Sequence, residues 1–300
     1  MAKNILENII IQLLDDQPIR LFDYVLSNSN VISSRNGLKK ALRDKRVLLD
    51  GTPITGAEWA IDQQNIEILE EKATPPKEFK LELKVLFEDE YLAVVYKPAG
   101  IPVSGNQFKT IENALQYNLQ PSDVIDAMPW PKPCHRLDAP TSGVLLIAKT
   151  RKARISLGQQ FEDKIIKKKY HAVVMGKIEK DGDIKIPLDD KACHSSYSRI
   201  SYIPSLRSEY LSIVELSPHT GRTHQLRRHM QSIGHPIVGD KEYGEEGNII
   251  EGKGLFLSSV EISFIHPIYE ERQTIKAPQP DKFEKLLLRE TKMWDKYNND

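Results

Sequence analysis

His135-Arg136-Leu137-Asp138-Ala139-Pro140-Thr141-Ser142-Gly143, running on into Val144-Leu145-Leu146-Ile147-Ala148-Lys149, sets an acid, a base and two hydroxyls just ahead of an apolar run. Pro140 and Gly143 predict a turn, and the apolar and β-branched residues after it predict a strand. Polar groups on a loop tied to a rigid strand are well placed for chemistry. On its own, Asp-Ala-Pro-Thr-Ser-Gly reads more simply as a turn in which Asp138 or Thr141 satisfies backbone donors. The longer string is far less easily met by chance.

Around this stretch, 300 residues predict roughly two domains, and 40% hydrophobic with 28% charged residues predicts a soluble globular chain. No apolar run approaches the roughly 18 residues needed to span a bilayer, so no membrane association is expected. The first residues carry Glu7 where a secretory signal would not, which makes the cytoplasm the expected location. Forty-two basic residues balance 42 acidic ones, so net charge does not point to nucleic acid, and such a reading must rest on local clusters. Cys134 and Cys193 are too few for a disulfide framework and lack zinc-site spacing. Histidines 135, 171, 224, 229 and 235 lack the paired acid or cysteine spacing of a metal site, so neither metal nor cofactor is expected.

Ile5, Ile9 and Leu13 recur at a spacing of four and predict a short amphipathic helix over residues 1 to 16. Residues 18 to 69 read as a compact unit. A helix bears Leu21 and Val25, Ser33-Ser34 offers a cap, and a second helix turns Leu38 and Leu42 inward. That second helix and the residues just after it set Arg35, Lys39, Lys40, Arg43, Lys45 and Arg46 in a basic stripe. Such a stripe is usually just a solvated face. Residues 70 to 80, with Pro75-Pro76 and little to bury, read as a linker, giving domains at 1–70 and 81–300 joined by 71–80.

Beyond the linker, Val85 to Gly100 predicts two strands meeting at an acidic turn and closing in Lys97-Pro98-Ala99-Gly100. A short helix near Ile111 to Leu119 precedes a Pro-rich loop, with Pro121, Pro131 and Pro133, that could cover a site. Leu157, Phe161 and Ile165 predict a helix ending in Lys164, Lys167, Lys168 and Lys169, and Tyr170 to Gly176 a strand. Residues 181 to 208 predict loops and an edge strand. Tyr210 to Leu216 predicts a strand running into a helix that carries Leu226, Arg227, Met230 and Ile233. Leu255 to His266 predicts a last strand and Pro280 to Arg289 a last helix.

The string His-Arg-Leu-Asp with Thr-Ser-Gly and its apolar strand resembles the catalytic motif of the RluA-type RNA pseudouridine synthases. Lys97-Pro98-Ala99-Gly100 resembles that family's first motif, which is mainly structural. Lys-x-Tyr-x-Ala-Val-Val at 168–174 resembles the motif carrying its active-site tyrosine, and Gly221-Arg222-Thr223-His224-Gln225-Leu226-Arg227 with Gly234 to Asp240 resembles its third motif. The order Arg20 to Leu26, Ser34 to Leu42 and Arg46 to Ile54 resembles the S4 RNA-binding domain that often precedes such catalytic domains. The resemblance implies an α+β pseudouridine synthase fold with a mixed, largely antiparallel central sheet, preceded by a small S4-like domain. It implies an isomerase that turns uridine into pseudouridine without a cofactor, with Asp138, Tyr170 and Arg227 catalytic and Arg227 paired to Asp138. His135, Arg136, Thr141 and Leu226 are the implied substrate-binding positions, and Arg35, Lys39, Lys40, Arg43 and Arg46 the implied RNA-binding ones. Leu255-Phe256-Leu257-Ser258 departs from the family's usual Leu-His-Ala, away from the catalytic matches.

The implied chemistry suits these residue types. Breaking the N1 glycosidic bond calls for a carboxylate as nucleophile or as stabiliser of an oxocarbenium-like sugar, and a nearby guanidinium keeps that carboxylate ionised. A tyrosine can stack on uracil, although a phenol of ordinary pKa is a poor base. The target must be flipped out or lie in a loop, and Arg136 beside Asp138 can fill the vacated stack. S4-bearing members favour large-subunit rRNA, whereas Asp-Ala-Pro-Thr-Ser-Gly and His-Gln-Leu-Arg-Arg-His resemble a subgroup acting on tRNA, so rRNA is only slightly favoured. No obligate protein partner is evident and a monomer is expected. An inactive RNA-binding protein would have no use for Asp138, Tyr170 and Arg227 together, and a glycoside hydrolase would want a second acid near Asp138.

Overall fold

The computed structural model describes residues 5–13, 18–32, 34–70, 75–244 and 252–298. It divides into two compact units, Met1–Thr74 and Pro75–Asp300.

In the first unit β1 (Ile5–Ile10) replaces the helix expected there, and residues 1–4 and 14–16 of that expectation lie outside the described residues. A spacing of four is in phase with a strand's period of two as well as with a helical turn, so Ile5 and Ile9 fit either. Pairing with β4 settles it. Two helices follow, α1 (Leu21–Asn28) and α2 (Arg35–Arg43), the second capped by the Ser34 hydroxyl accepting from the Gly37 N–H. β2 (Val47–Leu49), β3 (Thr52–Pro53) and β4 (Asn65–Leu69) complete a four-stranded sheet in the order β1-β4-β2-β3. Leu21, Val25, Leu38, Ala41, Val47, Ile66 and Ile68 fill its core, and Leu42 packs at the edge.

The second unit opens with β5 (Lys84–Glu88) and β6 (Leu92–Lys97), then α3 (Ile111–Asn118), β7 (Ala127–Pro133), β8 (Ser142–Thr150) and α4 (Arg151–Glu162). β9 (Lys167–Met175), β10 (Gly182–Ile184), β11 (Ser195–Ser205) and β12 (Glu209–Pro218) follow. α5 (Gln225–Ser232), β13 (Leu257–Ile265), β14 (Arg272–Lys276) and α6 (Asp281–Asn298) close the chain. The strands form one ten-stranded sheet in the order β10-β11-β12-β9-β13-β8-β6-β5, with β14 beside β13 and β7 beside β8. Among the described residues its one parallel pair is β8 with β13, so the sheet is mixed and largely antiparallel.

β8 is the centre of this architecture. All nine of its residues are buried, as an apolar run with no alternation requires of a strand covered on both faces. Leu145 and Ile147 join Val95, Ala172 and Val174 on the face covered by α3 and α5. Val144 and Leu146 join Leu92, Val94 and Leu157 of α4 on the other, and α6 covers Val173, Met175 and Phe256 on that opposite parity.

Three local expectations change. The Pro-rich stretch is β7, an outer strand against the end of β8, where Pro is tolerated because one edge of the ladder needs no donor. α4 stops at Glu162, and Lys164 takes a left-handed conformation (φ 58°), so Lys167 to Lys169 open β9 instead of ending the helix. Gly143 is no turn residue: it lies in β8 at φ 117°, where a Cβ would stand 2.0 Å from the Ser259 carbonyl oxygen of β13. Only glycine admits that approach.

Candidate active site

Asp138 lies in the loop from β7 to β8, and the loop is fastened from below by Lys97 at the end of β6. The Lys97 ammonium is fully buried and donates to the carbonyls of Pro98 (3.0 Å), Ala139 (3.0 Å) and Thr141 (2.7 Å). The Gly100 N–H donates to the Ala139 carbonyl at 2.7 Å, and the Thr141 N–H to the Asp138 carbonyl at 3.0 Å. Burial lowers the Lys97 pKa to about 8 against the pull of the Asp138 charge. The loop is therefore held by an ammonium whose three donors are all used.

Across the cleft, Gln225 shapes the turn into α5. Its side-chain oxygen accepts from the Thr220 hydroxyl (2.7 Å) and the Arg222 N–H (3.0 Å), while its amide donates to the His194 carbonyl and Ser195 hydroxyl. His224 caps the helix in a left-handed conformation, with φ 53°. The Arg227 side chain, 3% exposed, grips Asp240 through two bonds of 2.7 Å, Nε to Oδ2 and Nη2 to Oδ1. Burial opposes the charged Asp240, but the Arg227 bonds and the N–H groups of Glu242 and Tyr243 outweigh it and hold its pKa below the ordinary value. Arg227 Nη1 has no hydrogen-bond partner and stands 3.8 Å from Asp138 Oδ2. The expected Arg227–Asp138 ion pair is present at 3.8 Å, but the guanidinium fork belongs to Asp240 and the third nitrogen is the one that faces Asp138.

His224 Nε2 lies 3.9 Å from Asp138 Oδ1, and its Nδ1 meets the Tyr243 hydroxyl at 3.0 Å and Glu242 at 3.1 Å. The Tyr243 ring sits under Arg227 at 4.9 Å. Tyr170, on β9, is buried. Its burial pushes the phenol pKa up, the Ser259 hydroxyl bond works against that rise, and the Asp138 charge adds to it, so the hydroxyl stays protonated. These groups surround an open cleft, lined among others by Arg136, Asp138, Thr141, Lys168, Tyr170 and Arg227. A partly exposed carboxylate, one bare guanidinium nitrogen and an aromatic ring facing one space can hold a planar base and stabilise a cationic sugar.

The family model for RNA pseudouridylate synthase matches residues 91–232. Over 235 residues the chain is 39% identical to the ribosomal large subunit pseudouridine synthase C of Pasteurella multocida, covering 71% of this chain and 70% of that one. The chain belongs to the RluA-type RNA pseudouridine synthases. It is also 30% identical over 276 residues to the ribosomal large subunit pseudouridine synthase D of Nitrosomonas europaea, covering 85% of this chain and 79% of the other. A solved structure, human RNA pseudouridylate synthase domain containing 1, shares its fold with a TM-score of 0.56 at 24% identity, covering 70% of this chain and 87% of that one.

Of the residues singled out in this synthase from sequence, Asp138, Tyr170, Arg227, Arg136, Thr141 and Leu226 line the one cleft. His135 does not. Its ring accepts the Leu146 N–H at 3.1 Å and packs on Phe161, and burial with Lys168 nearby lowers its pKa to about 3, so it is a neutral structural group. The Pro-rich stretch does not line the cleft either. Lys97, Asp240 and Gln225 were missed as site residues, although each lay inside a recognisable motif. Each has a partner 13 to 44 residues away, which a motif does not display. In the first unit Arg35, Lys39, Lys40 and Arg43 are exposed on α2. Arg35 pairs with Asp23 at 3.0 Å and Arg43 with Asp44 at 3.3 Å, while Arg46 Nε donates to the Leu69 carbonyl.

Proposed function

We propose that this synthase isomerises uridines in ribosomal RNA, in preference to tRNA, with Asp138 as nucleophile. The Asp138 carboxylate attacks C1′ of a flipped uridine and N1 of uracil leaves with the bonding pair. The freed base turns, its C5 attacks C1′ and expels the carboxylate, and the C5 proton is then lost. Asp138 is the one carboxylate among the described cleft residues, so once released it is the acceptor at hand for that proton. Tyr170, with its raised pKa, serves by stacking on the base and not as the base catalyst. Arg136, exposed at the rim, fills the space the uridine leaves, and Thr141 and Leu226 bound the pocket.

The observation that carries this reading is the bare Arg227 Nη1 at 3.8 Å from Asp138 beside the Tyr170 ring. The rRNA preference is supported by the names of the relatives, ribosomal large subunit synthases C and D. The first unit is read as an S4-like domain, with Arg35, Lys39, Lys40, Arg43 and Arg46 meeting phosphate, and the second unit as the catalytic domain, which also takes in residues 75–80 of the expected linker, with Phe79 packed on its core. The test is Asp138→Ala and the isosteric Asp138→Asn. Both should abolish tritium release from RNA labelled at uracil C5 and leave RNA affinity within about threefold, less than 1 kcal/mol. Retained release rejects the assignment.

A further inference from the structure

We propose that Asp183, His194 and His219 form a binding site for a divalent transition-metal ion of the zinc class, lying outside the catalytic cleft. Asp183 is in the edge strand β10, His194 directly precedes β11 and His219 directly follows β12. The pairing of Asp183 with Ser196 and of Ser195 with Pro218 brings these three segments to one end of the sheet.

One ligand atom from each residue lies within 4.8 Å of the other two. His194 Nε2 is 2.7 Å from Asp183 Oδ1, and the two imidazoles stack with centroids 4.1 Å apart. The Ser196 hydroxyl donates to Asp183 Oδ1 at 2.7 Å and meets His219 Nε2 at 2.6 Å. Two imidazole nitrogens and a carboxylate oxygen thus face one point, with a hydroxyl beside them. Tetrahedral zinc with bonds of about 2.0–2.2 Å needs ligand atoms about 3.4 Å apart, inside the 4.8 Å that separates these three at most. Imidazole with carboxylate suits zinc, cobalt or nickel, whereas magnesium prefers oxygen ligands and water. Asp183 and His219 are exposed, so an ion can enter directly from solvent.

The position gives the ion a structural task. The His219 N–H donates to the His194 carbonyl at 2.9 Å and the His194 N–H to the Thr220 hydroxyl at 3.1 Å. Thr220 and Gly221 line the cleft. A bound ion therefore clips β10 and the start of β11 to the segment that becomes the cleft wall.

The experiment is a titration of full-length, chelator-stripped protein with Zn²⁺ against a chromogenic chelator, repeated with Co²⁺ for its absorption spectrum. One ion per chain is expected, undisplaced by excess Mg²⁺, with cobalt d–d bands and no thiolate charge-transfer band, which sets the nearby Cys193 aside. His194→Ala, His219→Ala and Asp183→Asn should each weaken binding by about 10- to 100-fold or more, since loss of even an outer-sphere partner costs that much. Circular dichroism of the metal-free variants, matching that of stripped wild type, shows that the fold is kept. Absence of stoichiometric binding, a thiolate band, or wild-type affinity in both histidine variants overturns the site.

Discussion

Replacing Asp240 by Asn tests whether Arg227 works because it is held off Asp138 as much as because it is near it. The change keeps the shape and removes the charge. Asn can accept from one guanidinium nitrogen, but its amide group must face the other N–H, so one of the two 2.7 Å bonds becomes a donor–donor contact. Arg227 is left buried without its hydrogen-bonded counter-charge, with Glu242 at 3.5 Å and Asp138 at 3.8 Å as the carboxylates that remain, a loss of about 3 kcal/mol. A catalytic unit of this size should then melt roughly 6–12 °C lower. The freed guanidinium has two other carboxylates to turn to, the exposed Glu242, 3.5 Å from Nη2, and Asp138 in the cleft, 3.8 Å from Nη1. At an effective dielectric of about 20 the attraction at that distance is about 4 kcal/mol, enough to draw the pair into direct contact. A carboxylate engaged in that way is a weaker nucleophile. The expected outcome, in single-turnover tritium release below the melting range, is a fall of about 100-fold in the chemical rate, about 2.7 kcal/mol, with RNA affinity within about threefold. A variant that melts lower but turns over at the wild-type rate would refute the argument and leave Asp240 a purely structural partner.

The loop clamp predicts an alkaline limit. Below a pH of about 8 Lys97 carries three donors for its three carbonyls, and above it the neutral amine has only two, so turnover should fall with an apparent pKa near 8, and Lys97→Met should lower turnover and shift that limb upward. Stability runs the other way. Folding lowers this pKa from 10.5 to about 8, the unfolded chain binds more protons between those values, and the group's contribution to stability rises across that window, as urea titrations at stepped pH will show. Gly143→Ala would drive a methyl to within 2.0 Å of the Ser259 backbone at φ 117°, so a loss of about 4 kcal/mol or failure to fold is expected in thermal melts, whereas tolerance would mean that the β8–β13 contact is loose. Lys39→Ala with Arg43→Ala should reduce the slope of log affinity against log salt by about 1.4–1.8, and an unchanged slope would remove α2 from the RNA interface.

What could be read from the sequence was whatever lies contiguous in it. The apolar run Val144 to Ala148 of β8 declared itself because the middle of a strand covered on both faces favours apolar side chains, and the strings around Asp138, Tyr170 and Arg227 are short enough to carry their chemistry together. β1 was misread because Ile5 and Ile9 are in phase with both periodicities, and β7 because prolines usually end a strand. The basic run after α4 looked like a helix C-terminus until the left-handed Lys164 ended the helix earlier. Contacts made across the fold left no local sign. Lys97 reaches residues more than 40 positions away, and strand pairing alone brings Asp183 to His194 and His219.

The same limit explains why the second partner of Arg227, Asp240, was not legible in the sequence. An arginine within reach of a catalytic carboxylate suggests a salt bridge, but a bidentate pair would occupy both carboxylate oxygens and blunt the nucleophile that the chemistry requires. The fold resolves the conflict by giving two of the three guanidinium nitrogens to Asp240, which itself is fixed by the N–H groups of Glu242 and Tyr243. The third nitrogen has no hydrogen-bond partner and faces Asp138 at 3.8 Å, near enough for an ion pair and too far for a hydrogen bond. An orphaned buried N–H is costly when idle, so its retention here fits a donor reserved for charge that develops during the reaction, on the carboxylate or on a uracil oxygen as N1 leaves.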